Sequence, residues 1–176
     1  MQVKRVVTGD LLENCYILIN NNKCLVIDPG DDYFKIKKEL GSLKIEGVLL
    51  THKHFDHIVA LNELLQDYNT LVYSRDNLKE GVISIDSFKF EVIYTPGHTR
   101  DSVTYYFESD KMMFTGDFLF KDNIGRCDLP TGDFDMMRKS LSKIKKYPCD
   151  TIIYPGHGDS STLDYEFNNN YYLFTN

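Results

Sequence analysis

Apolar residues fall along the chain in two rhythms, one of strands and one of helices. Residues 14–19 (NCYILI) and 23–27 (KCLVI) are β-rich runs on either side of Asn20-Asn21-Asn22, which predicts a hairpin. Asp28-Pro29-Gly30 stops the second run. Tyr33, Ile36 and Leu40 then recur at helical spacing with Gly41 as the stop, so a helix is expected over about 32–40. Residues 45–50 make a short, continuously apolar strand, and Ile58, Leu61, Leu64, Leu65 and Tyr68 make a helical stripe. Strand pattern returns at 71–74, 82–85 and 88–94, the last two joined by Asp86-Ser87. A further hairpin is expected from 103–107 and 112–114. Residues 133–146 read as a third helix with Phe134, Met137, Leu141 and Ile144 on one face, and 151–154 as a final strand. The opening Met1-Gln2-Val3-Lys4-Arg5 is a short mixed segment, and the polar, aromatic stretch 168–176 is expected to be partly mobile.

Composition narrows the class. A chain of 176 residues at 42% hydrophobic can bury a substantial core, and no linker-like stretch or repeat divides it, so one domain over 1–176 is expected. No signal-peptide pattern or membrane-length apolar run occurs, which points to a cytoplasmic protein without a membrane partner. Cys15, Cys24, Cys127 and Cys149 are scattered without a C-x-x-C pair and read as free, mostly buried thiols. A formal charge of −6 and a pI near 5.3 weigh against nucleic acid, whose phosphates need a basic footprint. A small-molecule substrate is the more natural partner, and nothing in the pattern speaks to oligomeric state.

The histidines change the picture most. Of the 5 in the chain, three lie in Thr51-His52-Lys53-His54-Phe55-Asp56-His57, and His98 and His157 each sit in a Pro-Gly-His turn. Histidine is the commonest metal ligand, and each candidate lies just past the end of an apolar strand, where a rigid sheet can hold it. In extended chain His52, His54 and Asp56 share one side while Lys53 and Phe55 face away, and His57 starts the next helix and points elsewhere. Two divergent sets follow. The first is His52, His54, His98 and Asp117, and the second is Asp56, His57, His157 and Asp117, with the Asp117 carboxylate bridging two divalent ions. Nitrogen and oxygen donors without thiolate suit zinc first, with iron or manganese on the same donors. Two such ions, two carboxylates and one hydroxide leave about +1, which would attract a small anionic substrate.

His52-x-His54-x-Asp56-His57, followed by Gly97-His98-Thr99, Gly116-Asp117 and Gly156-His157-Gly158, resembles the metallo-β-lactamase superfamily over nearly the whole chain. Ile27-Asp28-Pro29-Gly30, Gly125-Arg126-Cys127-Asp128 and Pro155-Gly156-His157-Gly158 look like its glyoxalase II-like branch, the hydroxyacylglutathione hydrolases. The resemblance implies an α/β fold, the αββα sandwich, with a dinuclear site at one edge. It also implies hydrolysis of a thioester such as S-lactoylglutathione to a hydroxy acid and a thiol. Asp28, Thr51 and Thr99 are then expected to orient ligands through hydrogen bonds. Longer members carry a C-terminal helical domain that contacts glutathione; the chain ends soon after His157 and resembles the short, single-domain form, which leaves glutathione open as the thiol. Arg126 is the nearest basic residue for an anionic substrate group, or it pairs with Asp128.

In the leading reading, a thioester or ester hydrolase, Asp56 and Asp117 are catalytic: a bridging hydroxide attacks the carbonyl carbon, and Asp56 holds it in line. The enzymatic alternatives are a persulfide dioxygenase-like enzyme with one iron on His52, His98 and Asp117, or a lactonase or other ester hydrolase on the same residues. A metal sensor without turnover would need neither an open coordination position nor a bridging carboxylate.

Overall fold

The computed structural model describes residues 1–174. In chain order the elements are β1 Gln2–Thr8, β2 Glu13–Asn20, β3 Lys23–Ile27, α1 Tyr33–Leu40, β4 Lys44–Leu49, α2 Leu61–Asp67, β5 Val72–Tyr73, β6 Gly81–Ile85, β7 Phe88–Tyr94, β8 Val103–Phe107, β9 Met112–Gly116, β10 Leu119–Phe120, β11 Asn123–Ile124, α3 Phe134–Ile144, β12 Ile152–Pro155, β13 Ser161–Thr162, α4 Leu163–Asn169 and α5 Tyr171–Phe174. The main strands form two sheets, ordered β1-β2-β3-β4-β5 and β13-β12-β9-β8-β7-β6.

The continuous apolar runs are explained by burial on both faces of each sheet. Successive side chains of a strand point to opposite faces. Thus Tyr16 and Leu18 of β2 pack between the sheets against Phe90, Tyr105 and Phe114, while Ile17 and Ile19 pack outward with Ile36, Leu40 and Leu64 of α1 and α2. On the far side Ile93, Tyr106 and Met113 meet Met137, Leu141 and Ile144 of α3. The result is a four-layer αββα sandwich.

Four hydrogen bonds stitch the two sheets together along one edge. Tyr105 Oη donates to the Leu50 carbonyl and Tyr16 Oη to the Pro155 carbonyl, both at 2.7 Å. Val103 N donates to Thr51 O at 2.8 Å and Asn14 N to Gly156 O at 2.7 Å. The loops that follow β3, β4, β7, β9 and β12 gather at this edge.

Some expectations change. The opening segment is a full strand, β1, antiparallel to β2; it lies at the sheet edge, and of its side chains only Val6 and Thr8 are buried, so it shows no apolar rhythm. Phe134 opens α3 but is 50% exposed, and the buried face is Met137, Ser140, Leu141 and Ile144. Asp133 accepts from Met136 N as the helix cap, which rotates Phe134 outward into an edge contact with Tyr172. The stretch 168–174 is ordered in α4 and α5: Asn170 donates to Glu166 and the Asn123 carbonyl, and Leu173 is buried against α3's layer. Thr175 and Asn176, the rest of that stretch, lie outside the described residues. Among the described residues no helix is long and apolar enough to cross a membrane.

Candidate metal centre

β4 ends at Leu49, and the chain that follows it is held by Asp28 from the end of β3. Asp28 Oδ1 accepts from Thr51 N at 2.7 Å, and Oδ2 accepts from Thr51 Oγ1 at 2.6 Å and His57 Nδ1 at 3.1 Å. Because the Thr51 hydroxyl spends its hydrogen on Asp28, it accepts from His52 Nδ1 at 3.1 Å. His98 Nδ1 donates to the Arg126 carbonyl at 2.8 Å, and His157 Nδ1 to the Leu11 carbonyl at 3.1 Å. Four imidazoles therefore carry their proton on Nδ1, fixed by an acceptor behind the ring, and turn Nε2 to a common centre. His54 presents Nδ1 instead, 2.9 Å from His98 Nε2.

The donor atoms form two adjacent sets. Those of His52, His54 and His98 lie within 4.8 Å of one another, as do those of Asp56, His57 and His157. Asp117 stands between the sets: Oδ1 is 3.3 Å from His57 Nε2, and Oδ2 is 3.5 Å from His98 Nε2 and 3.6 Å from His157 Nε2. Asp56 Oδ2 is 3.2 Å from His157 Nε2 and 3.8 Å from His57 Nε2. Asp28, His52 and His57 form a third close group, but the Asp28 oxygens are already taken by Thr51 and His57, so Asp28 supports the ligand rather than joining it.

A divalent ion fits each set, as the unpaired atoms show. His52 Nε2, His57 Nε2 and Asp117 Oδ1 are buried without a hydrogen-bond partner, a cost of about 1–3 kcal/mol each unless a cation takes the lone pairs. Two glycines make the space. A Cβ on Gly156 would lie 2.3 Å from Asp117 Oδ1 and 2.7 Å from His57 Cε1. Gly116, at φ +51, would put one 2.2 Å from Thr51 Oγ1.

The charges lean the same way. Burial opposes ionisation of His57, yet the facing carboxylates of Asp117 and Asp28 raise it well above the ordinary histidine range. His52, buried beside the cationic His57, is lowered well below that range, and burial with His98 nearby lowers His54. Burial works against Asp117 as well, but His57, His52 and His157 hold its carboxyl far below the usual carboxylate range. In the metal-free chain a proton thus occupies the gap that a cation would fill.

The extended alternation holds only as far as His54. Phe55–His57 is one turn of 3₁₀ helix, and that turn, not strand geometry, swings Asp56 over to His157. It also brings the His57 ring to 4.2 Å from that of His52, so the two sets are neighbours and do not diverge. Thr99 does not reach a histidine: its hydroxyl pairs with Ser102 Oγ at 2.7 Å. Arg126 forms a two-pronged pair with Asp128, at 2.7 and 2.8 Å, and serves the site through its backbone carbonyl.

Glu13 is the residue that pattern reading misses. It is 1% exposed, with Oε2 accepting from Thr8 Oγ1 at 2.8 Å and Oε1 unpaired, 3.6 Å from His57 Nδ1. Burial pushes its carboxyl up to about 9. The signal was a lone acid opening a strand that is otherwise uncharged and mostly apolar.

Above the centre opens a cavity of about 900 Å³, lined by ligand residues below and by Leu11, Phe55, Phe120, Leu129 and Pro130 around the wall.

The comparisons agree with this arrangement. The Metallo-beta-lactamase superfamily matches residues 8–82 and 74–157. The probable metallo-hydrolase YqgX of Bacillus subtilis is 31% identical over 98% of this chain and 98% of its own length. A hydroxyacylglutathione hydrolase of Francisella philomiragia is 37% identical over 94% of this chain and 71% of its own. Of solved structures, the BLEG-1 B3 metallo-beta-lactamase is similar with a TM-score of 0.94 at 30% identity, covering 98% of this chain and 99% of that one. TTHA1623 in a di-iron-bound form is similar with a TM-score of 0.88 at 30% identity, covering 97% and 100%. Ligand motifs, layers and likenesses converge, and the chain belongs to the metallo-beta-lactamase superfamily.

Proposed function

We propose that the chain is a two-metal hydrolase of thioesters, cleaving the acyl–sulfur bond with water to a carboxylic acid and a thiol, the type of reaction by which S-lactoylglutathione is hydrolysed. The observation that carries this reading is the Asp117 carboxylate set between two complete donor groups on the floor of an open cavity. His52, His54 and His98 would hold one ion, Asp56, His57 and His157 the other, and Asp117 would serve both. Zinc suits these donors, and iron and manganese suit them too. When bound, the ions supply Lewis acidity toward a carbonyl oxygen and lower the pKa of water to about 7.

The chain's own residues do the rest. Although burial opposes it, the hydrogen bond with His157 and the nearby His57 lower the Asp56 pKa, so its carboxylate is an acceptor at neutral pH. Asp56 Oδ2 orients a water in the cavity and can take a proton from it. The four Nδ1 donors lock ring orientation, so the centre does not reorganise during the reaction. The likeness to a hydroxyacylglutathione hydrolase favours a thioester over other acyl compounds.

The test is metal analysis of protein purified without chelators, paired with thioester hydrolysis and oxygen uptake on a persulfide. About two ions per chain with hydrolysis supports the proposal. A single iron with oxygen uptake and no hydrolysis overturns it, and β-lactam or lactone turnover without thioester turnover moves the substrate class.

A further inference from the structure

We infer that the cavity selects thioesters whose non-reacting portion is apolar and uncharged, a hydrophobic acyl group on a small neutral thiol, over thioesters of a charged peptide thiol. This rests on the hydrolase reading above.

The wall facing the centre is built of Leu11, Phe55, Phe120, Leu129 and Pro130. Phe55 is 68% exposed and Leu11 53% exposed, a state that costs free energy unless something covers them. Phe55 cannot turn away, because it sits between His54 and Asp56 in the 3₁₀ turn that places the second donor group. Phe120 stands edge-on to His157, so the wall reaches down to the ligands themselves. On the outer side Val59 continues it next to Leu11 and Phe55.

Charge recognition is missing from the same wall. Its lysine and its arginine each already face a carboxylate: Lys53 pairs with Asp76, and Nε and Nη2 of Arg126 hold Asp128. Asp101 adds a negative charge to the lining. A glutathionyl group carries two carboxylates and one ammonium, and its carboxylates would have to share Lys53 and Arg126 with Asp76 and Asp128 in a lining that also holds Asp101. An alkyl or aryl group meets only apolar surface, and each methylene that reaches the wall raises kcat/KM by about fourfold.

The experiment uses the metal-loaded chain and matched substrates: N-acetylcysteamine thioesters with acetyl, butanoyl, hexanoyl and phenylacetyl groups, against glutathione thioesters of the same acids. Calorimetry on the metal-free chain with S-hexyl-N-acetylcysteamine and S-hexylglutathione reads the wall without turnover. The expected result is a kcat/KM that climbs with acyl length, a neutral carrier at least as good as glutathione, and tighter binding of the neutral thioether. In Phe55→Ala and Leu129→Ala the hexanoyl-to-acetyl ratio falls toward one, a change that a uniform structural loss would not produce. A flat length series, or a glutathione carrier better by tenfold or more, overturns the inference while leaving the thioesterase reading intact. Failure of every thioester while another acyl class turns over defeats that reading, and this inference with it.

Discussion

Asp28→Asn is the sharpest test of how the centre is held. The Asp28 backbone lies at φ 49, a left-handed conformation that asparagine tolerates about as well as aspartate, so the turn survives. Oδ1 still accepts from Thr51 N. In place of Oδ2, however, stands an NH₂ group, and it faces His57 Nδ1 across 3.1 Å. Two N–H donors then oppose each other. A neutral imidazole escapes by carrying its single proton on Nε2, the atom that a metal needs. Restoring the metal-binding tautomer leaves two buried donors unpaired at about 1–3 kcal/mol each, enough to account for the loss of about 10–100-fold in affinity typical of removing such a partner.

The first donor group is disturbed less. Thr51 Oγ1 has two lone pairs, so it can accept from the new amide and still from His52 Nδ1, leaving only its own hydrogen unplaced. That costs about 1 kcal/mol, or about fivefold. Asp28→Ala makes the contrast, since it removes all three acceptor contacts together with the short polar side chain that makes the left-handed conformation tolerable, so stability suffers first. The assay is zinc titration against a chromophoric chelator, with thermal melting as control. In Asp28→Asn one ion should bind nearly as in the parent and the other at least tenfold more weakly. Two unchanged affinities, or loss confined to the first ion, would refute the tautomer argument.

Four further outcomes are expected. Glu13 keeps its proton in the folded chain up to about pH 9 but loses it near 4.5 when unfolded; the metal-free protein therefore loses stability as pH rises between those values, and Glu13→Gln should flatten that fall in melts at pH 5 and pH 8. Asp128, lowered to about 2 by Arg126, gives its pair a stabilising role above the unfolded carboxylate pKa that vanishes as pH falls toward 2; NMR titration of Arg126→Gln should return Asp128 toward its ordinary value of 3.8. Asp56→Ala should lower kcat about 10²–10⁴-fold with little change in melting temperature, and full turnover with both ions bound would exclude its assigned role. Gly156→Ala should displace Asp117 and His57 and release metal, read by native mass spectrometry, while far-UV circular dichroism keeps its shape.

What was legible in the sequence follows from burial. β2, β3 and β4 are apolar on both faces and announce themselves, whereas β1 pairs on one side only and needs few apolar residues to do so. The five histidines and Asp117 were legible because they punctuate strand ends. The register of the Thr51–His57 stretch was not, since a 3₁₀ turn and a strand place Asp56 differently while demanding the same residues. Glu13 was hidden for another reason: its partners Thr8 and His57 come from a neighbouring strand and a distant loop, and no local periodicity encodes that contact. Lys53 and Phe55, which alternation turns away from the centre, instead line the same cavity as His54 and Asp56 and so enter the substrate question.

The two donor groups also differ in what holds them. His52 is fixed from Thr51 on the first sheet and His98 from the Arg126 carbonyl beside the second. His57 is held by Asp28 from the end of β3, with Glu13 behind it, whereas His157 depends on the chain around the start of β2: Leu11 O holds its Nδ1, and Asn14 ties down its loop through Pro155 O and Gly158 O at 3.0 and 2.8 Å. Leu11 is at the same time part of the apolar wall. A substrate that presses on Leu11 therefore presses on the acceptor of His157, and one that presses on Arg126, which also lines the cavity, presses on the acceptor of His98. Each donor group is thus tied to the cavity wall through one backbone carbonyl, that of Leu11 for His157 and that of Arg126 for His98, so the wall that meets a substrate also sets the orientation of both rings.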